Sequence, residues 1–270
     1  MFYMEDCDLM NKQLSVIYFS ATGGTAKVVK EVADGISDIY KEYDITFPMN
    51  RKKSITFDSN DLVIIGVPVY AGRVPKFLID YFSKIKGNQT PAVFITVYGN
   101  RNYDDALIEL KDTFESNGFM GISAGAFIAE HSNTTKVGTN RPDARDLDTA
   151  YKLGANIKNK LENLVDILQL PKLTVNGNVP YKERISAPPI VPDTSDDCTK
   201  CGICAKYCPM DAISTNNFKE IDPSRCIRCC SCIKKCPVDA KSINHEIFNK
   251  ITKGLIENFS AIRNEPECYL

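Results

Sequence analysis

Residues 14–25 read LSVIYFSATGGT: an apolar run, Leu14 to Phe19, leads straight into Ser20, Ala21, Thr22, Gly23, Gly24 and Thr25. A helical pattern with Val28, Val29, Val32 and Ile36 on one face follows at once. A strand, a glycine-bearing turn and a helix in this order bring backbone N–H groups and a helix N-terminus together, which suits a phosphate group. The hydroxyls of Ser20, Thr22 and Thr25 add hydrogen-bonding capacity. No Lys-Ser or Lys-Thr follows the glycines, so the NTPase phosphate loop is absent. The spacing G-x-G-x-x-G is missing as well, which counts against a dinucleotide.

On the C-terminal side the alternation continues. YDITFPM (43–49), LVIIGV (62–67), AVFITVY (92–98) and ISAGAFIA (122–129) read as strands, and residues 25–39, 75–85, 103–116 and 145–168 read as helices. Five strands spaced by helices predict an α/β fold with a doubly wound, five-stranded parallel sheet, because right-handed crossovers lay helices on both faces. Ligands of such sheets sit beyond the carboxyl ends of the strands, at the switch point between the first and third. Two further loops therefore join the candidate site: Pro68, Val69, Tyr70, Ala71 and Gly72 after the third strand, and Tyr98, Gly99, Asn100, Arg101 and Tyr103 after the fourth.

The motif S-x-T-G-G-T resembles the FMN phosphate loop of flavodoxins, and the resemblance extends over residues 13–168. It implies one noncovalent FMN, with Ser20 to Thr25 on the phosphate. Pro68 to Gly72 would lie along one side of the ring system and Tyr98 to Tyr103 along the other. Which of Tyr70, Tyr98 and Tyr103 stacks on the ring stays open. His131 ends the fifth strand near the same edge and reads as a hydrogen-bonded loop histidine. These loops hold no Ser-His-Asp, metal or nucleophilic cysteine constellation, so no catalytic side chain is assigned.

The second half is organised by cysteine. Prolines at 171, 180, 188, 189 and 192 mark residues 171–193 as a linker between a domain at 1–170 and one at 194–246. Within the latter, CTKCGICAKYCPMDA (198–212) and CIRCCSCIKKCPVDA (226–240) align without gaps at an offset of 28 residues. Each copy has the spacing C-x2-C-x2-C-x3-C-P of cubane iron–sulfur sites, whose fourth cysteine ligates the other cluster. The expected sets are Cys198, Cys201 and Cys204 with Cys236, and Cys226, Cys229 and Cys232 with Cys208. A zinc site takes two C-x2-C pairs and has no use for a third cysteine at the same interval. Cys230 stands where the first copy has Gly202 and reads as a small packing residue; Cys7 and Cys268 read as incidental thiols. The region from 196 to 245 resembles bacterial-type ferredoxins with two [4Fe-4S] clusters, which implies a small α+β domain and one-electron transfer at low potential. Residues 247–270 have helical apolar spacing and are assigned no chemistry.

The two resemblances together point to flavodoxin-ferredoxin fusion proteins of anaerobic bacteria and archaea. They imply an electron-transfer protein that couples one-electron carriers to a two-electron acceptor or donor. An iron–sulfur flavoenzyme that reduces a small molecule at the FMN is the alternative. Among 270 residues, 33 Lys and Arg face 34 Asp and Glu, so there is no basic field for nucleic acid or an anionic membrane surface. The start of the chain, MFYMEDCDLMNKQ, carries acids and no apolar signal region, and no stretch is long enough for a membrane span, so a cytoplasmic protein is expected. Thiolate-ligated clusters and an FMN phosphate would make the loaded protein acidic, so the expected partners are redox proteins with a basic docking face.

Overall fold

The computed structural model describes residues 12–164, 166–184 and 188–270; Cys7 lies outside them. Its main sheet is built from β1 (Gln13–Tyr18), β2 (Lys41–Asp44), β4 (Asp61–Pro68), β6 (Thr90–Tyr98) and β7 (Phe119–Ile128). Two short strands, β3 (Ile55–Thr56) and β5 (Ile85–Lys86), pair in parallel apart from it. In space the main strands run β7-β6-β4-β1-β2, all parallel, which is the expected doubly wound order. Helices α1 (Gly24–Asp34) and α4 (Ala144–Glu162) cover one face and α2 (Lys76–Phe82) and α3 (Ala106–Glu115) the other. Val28, Val29, Val32, Leu153 and Ile157 close the first face; Leu78, Phe82, Leu107, Leu110 and Phe114 close the second. Both faces of the central strands are therefore dry, which is why LVII and AVFITV carry no polar alternation.

β2 departs from the sequence-based expectation. It occupies Lys41–Asp44, ahead of ITFPM, because its only neighbour, β1, ends at Tyr18 opposite Asp44. Beyond that point Pro48 opens a 3-10 turn over Pro48–Arg51. α4 stops at Glu162 rather than 168, capped at its start by the reciprocal Asp143–Asp146 box.

The linker is fastened rather than free. Asp105 accepts hydrogen bonds from the backbone N–H of Asn178 at 2.8 Å and of Lys182 at 2.6 Å, and Tyr181 donates to Asp112 at 2.6 Å. Arg184 pairs with buried Glu109 at 2.6 Å, and Glu109 also takes Arg73 at 2.7 Å. Leu173 and Val175 are buried in the α2/α3 face of the core. Prolines here remove helical alternatives while the neighbouring polar groups dock the segment on α3.

In the second domain β8 (Asp193–Thr194) pairs antiparallel with β9 (Lys241–Ser242), and the one-turn helices α5 (Ile203–Lys206) and α6 (Ser231–Lys234) pack together. The sequence repeat is also a conformational repeat. Lys200 and Arg228, Gly202 and Cys230, and Asp211 and Asp239 form three pairs at the same offset, and all six residues have positive φ.

The tail is more than a helix. α7 (Glu246–Phe259) leaves the second domain with Phe248 packed on Ile190, Cys230 and Ile243. The chain then returns to the main sheet, where β10 (Glu267–Tyr269) adds a sixth, antiparallel strand at the β7 edge through Glu267↔Ala126 and Tyr269↔Ala124. Arg263 bonds Asp143 at 2.7 Å, and Ser123 Oγ donates to the Tyr269 carbonyl at 2.6 Å. The ferredoxin-like region is thus held to the sheet domain on both its N-terminal and C-terminal sides. Among the described residues no helix is long and apolar enough to cross a membrane.

Candidate functional site

Because the five strands are parallel, the loops after β1, β4, β6 and β7 emerge at one edge. Gly23, at φ 95°, precedes α1 in a left-handed conformation that glycine adopts without strain. A Cβ placed on it would meet nothing within 4 Å, whereas one on Gly24 would lie 2.8 Å from the Ala129 Cβ. The loop is therefore pressed against the end of β7 on one side and open on the other. Ser20 Oγ accepts the Ala26 N–H at 3.0 Å, and the Ser20 N–H donates to Thr46 Oγ1 at 2.9 Å. The N–H groups of Gly24 and Thr25 have no carbonyl one turn earlier in α1 to bond. An open cradle with free helix-start donors fits a phosphate, as FMN would bring.

The ring loops are less uniform. Tyr70 is half-buried, and its phenol is pushed well above its ordinary pKa by burial and then by the neighbouring Cys229 and Cys230 thiols. In the other loop, Tyr98 and Tyr103 are buried with their rings 5.6 Å apart, and burial pushes Tyr98 up to about 12. The Tyr103 hydroxyl is spent on Glu267, at 2.6 Å, and Tyr269, at 2.9 Å. Asn100 is fully buried, its amide donating to the Ile262 carbonyl at 2.7 Å and its side-chain oxygen accepting from Asn264 N–H at 3.2 Å. Two of the side chains expected beside the ring system, Asn100 and Tyr103, thus bind the tail, and Tyr98 packs against Tyr103. Arg101 pairs with Asp104. His131 lies over Gly99, and its Nδ1 accepts the Asn133 N–H at 3.1 Å, which leaves the proton of the neutral ring on Nε2. Burial, then Lys234 and Arg101, push its pKa down to about 4, so the ring stays neutral near pH 7.

The eight repeat cysteines divide between two cavities. One is lined by Cys226, Cys229 and Cys232 together with Cys208, with Cys230 also on its wall; the other by Cys198, Cys201 and Cys204 together with Cys236. Each cavity takes the first three motif cysteines of one repeat and the last of the other. Among the described residues no three His, Cys, Asp or Glu side chains converge on a point suited to one metal ion. Four thiols set around a hollow suit a multi-iron cube instead. Burial pushes the Cys232 thiol up to about 12 and raises Cys204 and Cys226 as well, so filling the cavities must release protons. The repeated Asp-Ala has a role that spacing alone did not reveal. With Asp211 and Asp239 at φ 48° and 51°, the Ala212 N–H reaches Cys208 Sγ at 3.3 Å and the Ala240 N–H reaches Cys236 Sγ at 3.2 Å. Such bonds hold the fourth sulfur of each set and tune a cluster's potential.

Cys230 is 3% exposed, at φ 57°, with its Sγ 3.6 Å from the Arg228 carbonyl. Cys230→Gly should keep the iron content of the parent, since glycine at Gly202 holds the same conformation in the other copy, while Cys229→Ala should lose iron. Iron analysis of the two variants checks this, and equal losses would make Cys230 a ligand.

The cavity with Cys208 faces the sheet domain. Cys229 belongs to the same apolar core as Phe19, Val67 and Tyr98, with Tyr70 and Ile227 packed against it. Lys234 pairs with Glu130 at 2.7 Å, Arg51 donates to the Pro209 carbonyl at 2.9 Å, and the Phe47 and Tyr207 rings are 6.4 Å apart. The other cavity lies away from this junction and includes the exposed Cys201.

Comparison with known proteins falls along the same division. The sequence model of the family described as flavodoxin domain matches residues 15–129, and that of the 4Fe-4S binding domain matches residues 192–214 and 219–242. Among solved structures, oxidised flavodoxin 1 from Bacillus cereus is 16% identical, with 57% of this chain and 99% of that one covered and a TM-score of 0.40. A flavodoxin from the domain Archaea is 13% identical over 56% of this chain and 99% of its own, with a TM-score of 0.39. The flavodiiron core of Flv1 from Synechocystis is 17% identical, over 57% of this chain and 36% of that one, with a TM-score of 0.39. No curated protein matches the chain. Its N-terminal part is a flavodoxin domain and its C-terminal part carries 4Fe-4S ferredoxin motifs, the make-up of a flavin and iron–sulfur electron-transfer protein.

Proposed function

We propose that the chain is a one-electron relay between a redox partner protein and a single FMN held on Ser20 to Thr25, through two [4Fe-4S] clusters held by the two cysteine sets. Bound there, FMN supplies a centre that exchanges two electrons singly and the clusters supply centres that exchange one. The observation that carries the reading is the place of Cys229, buried in the core of the sheet domain and adjacent to Tyr70 of a flavin loop. The chain's own residues set the order of the sites. Cys208, Cys226, Cys229 and Cys232 form the inner one, and the exposed Cys201 marks the outer one as the place of contact with a partner. Both fastenings of the second domain, Arg184 to Glu109 and β10 to β7, keep the inner site against the flavin loops without relying on a flexible tether.

Rapid mixing of anaerobically reduced holoprotein with a basic single-haem cytochrome tests the relay. Flavin reoxidation should slow at least tenfold in Cys201→Ala, which loses the outer site, and the parent rate should fall as salt shortens the Debye length below about 10 Å at 0.1 M. An unchanged rate in Cys201→Ala would end the relay reading. Turnover with a small-molecule acceptor that survives the same substitution would point to a flavoenzyme instead.

A further inference from the structure

Arg51 is a cation without a carboxylate partner. It ends the 3-10 turn after β2 and is half-buried, and among the described residues no ion pair reaches it. Its Nη1 donates to the carbonyls of Ile45, at 2.8 Å, and Thr46, at 2.7 Å; its Nη2 donates to the Pro209 carbonyl at 2.9 Å and lies 3.7 Å from Met210 Sδ. The guanidinium carbon stands 5.6 Å from the Phe77 ring centre and 6.0 Å from that of Phe19. The charged groups within its field are Asp44, which accepts the Thr46 N–H at 2.8 Å, and Asp211, 3.8 Å from Arg225 and open to solvent; the Tyr81 phenol completes its surroundings. Carbonyls and ring faces orient a guanidinium without cancelling its charge, and a half-buried uncancelled charge is costly unless an anion stands nearby.

Pro209 and Met210 line the inner cavity beside Cys208, so Arg51 sits one residue layer behind it. We infer that Arg51 is a positioning residue of the inner iron–sulfur site, whose positive charge, fixed on the Cys208-Pro209-Met210 turn, raises the reduction potential of the cluster seated there. The inference rests on the cluster assignment of the relay reading. Four thiolates and an iron cube bring net negative charge to the cavity, and reduction adds one electron to it with no bond formed or broken. A fixed cation one layer away therefore favours the reduced state. At the outer cavity Pro237 and Val238 occupy the places of Pro209 and Met210, and no arginine donates to the Pro237 carbonyl among the described residues; the cation there is buried Lys241, which donates to Thr194 Oγ1 and the Phe218 carbonyl and is untouched by a change at Arg51.

A redox titration of the holoprotein, followed optically and by EPR, provides the test. Arg51→Met should keep the parent iron content and lower one of the two cluster steps, leaving the other in place. At a fixed potential the reduced-to-oxidised ratio of the moved step should fall about tenfold, which is 59 mV for one electron. Arg51→Lys, which keeps the charge, should restore most of the shift even where it lowers thermal stability. Should Arg51→Met lose iron, Arg51→Gln, neutral but still able to donate to Pro209, takes its place. Full iron with both steps unmoved in the neutral variant would overturn the inference, as would a shift in Arg51→Lys equal to that in Arg51→Met. Neither outcome touches the relay, whose test is flavin reoxidation through the outer site.

Discussion

Cys208→Ala should strip the iron from the inner cavity and spare the outer one, although its nearest cysteines in sequence, Cys204 and Cys201, belong to the outer set. Two [4Fe-4S] clusters per chain mean about eight irons in the anaerobically prepared parent. The variant should retain about four, and one of the two cluster steps should vanish from a redox titration. The expectation rests on where the Cys-Pro turn points: Cys208 leaves α5 toward the cavity that Cys226, Cys229 and Cys232 line, its sulfur held by the Ala212 N–H. Cys236→Ala should do the converse and empty the outer cavity. The pair of variants separates sequence neighbourhood from spatial neighbourhood. If Cys208→Ala removed the step that Cys201→Ala removes, ligation would lie within each repeat and the inner and outer sites would lose their identities. Because the inner cavity adjoins Tyr70 and the outer one does not, Cys208→Ala should also isolate the flavin from the outer site, a second readout on the same sample.

What could be read from the chain beforehand was local. A strand, glycine turn and helix needs about twenty consecutive residues to announce itself, and a duplicated C-x2-C-x2-C-x3-C-P announces its ligands by spacing alone. The conformational repeat was half-visible: Gly202 signalled a positive φ, but Lys200, Asp211 and their counterparts adopt it without any glycine to betray it. The three-residue strand at Glu267–Tyr269 left no pattern, since its pairing with β7 lies more than a hundred residues away in sequence and two of its three residues remain exposed. The tail contacts of the loop after β6 were hidden for the same reason. Asn100 and Tyr103 look like binding-site residues at a strand end, yet they bond Asn264, Glu267 and Tyr269 from a tail that composition marks only as helical. Arg51 could not be singled out at all, because its significance is a partner it lacks and a turn, at Pro209, that only the tertiary fold brings near.

Gly23→Asp should weaken FMN binding by at least about 100-fold, close to 2.7 kcal/mol. Two effects combine. A non-glycine residue at φ 95° carries backbone strain of about 1–2 kcal/mol, and the new carboxylate points into the open side of the cradle, where the phosphate would lie. Gly23→Asn separates them, because asparagine has the same shape, tolerates the left-handed region comparably and carries no charge. Asn should cost roughly tenfold at most, and the gap between the two variants should shrink as salt is added. Riboflavin, which lacks the phosphate, supplies the decisive comparison: its affinity should be the same in Gly23→Asp and Gly23→Asn. Fluorescence quenching on the full chain with its clusters in place measures all four affinities. Equal losses of FMN in the two variants would mean that the phosphate does not face Gly23, and the cradle formed by Ser20 to Thr25 would then be a tight turn whose open side serves no anion.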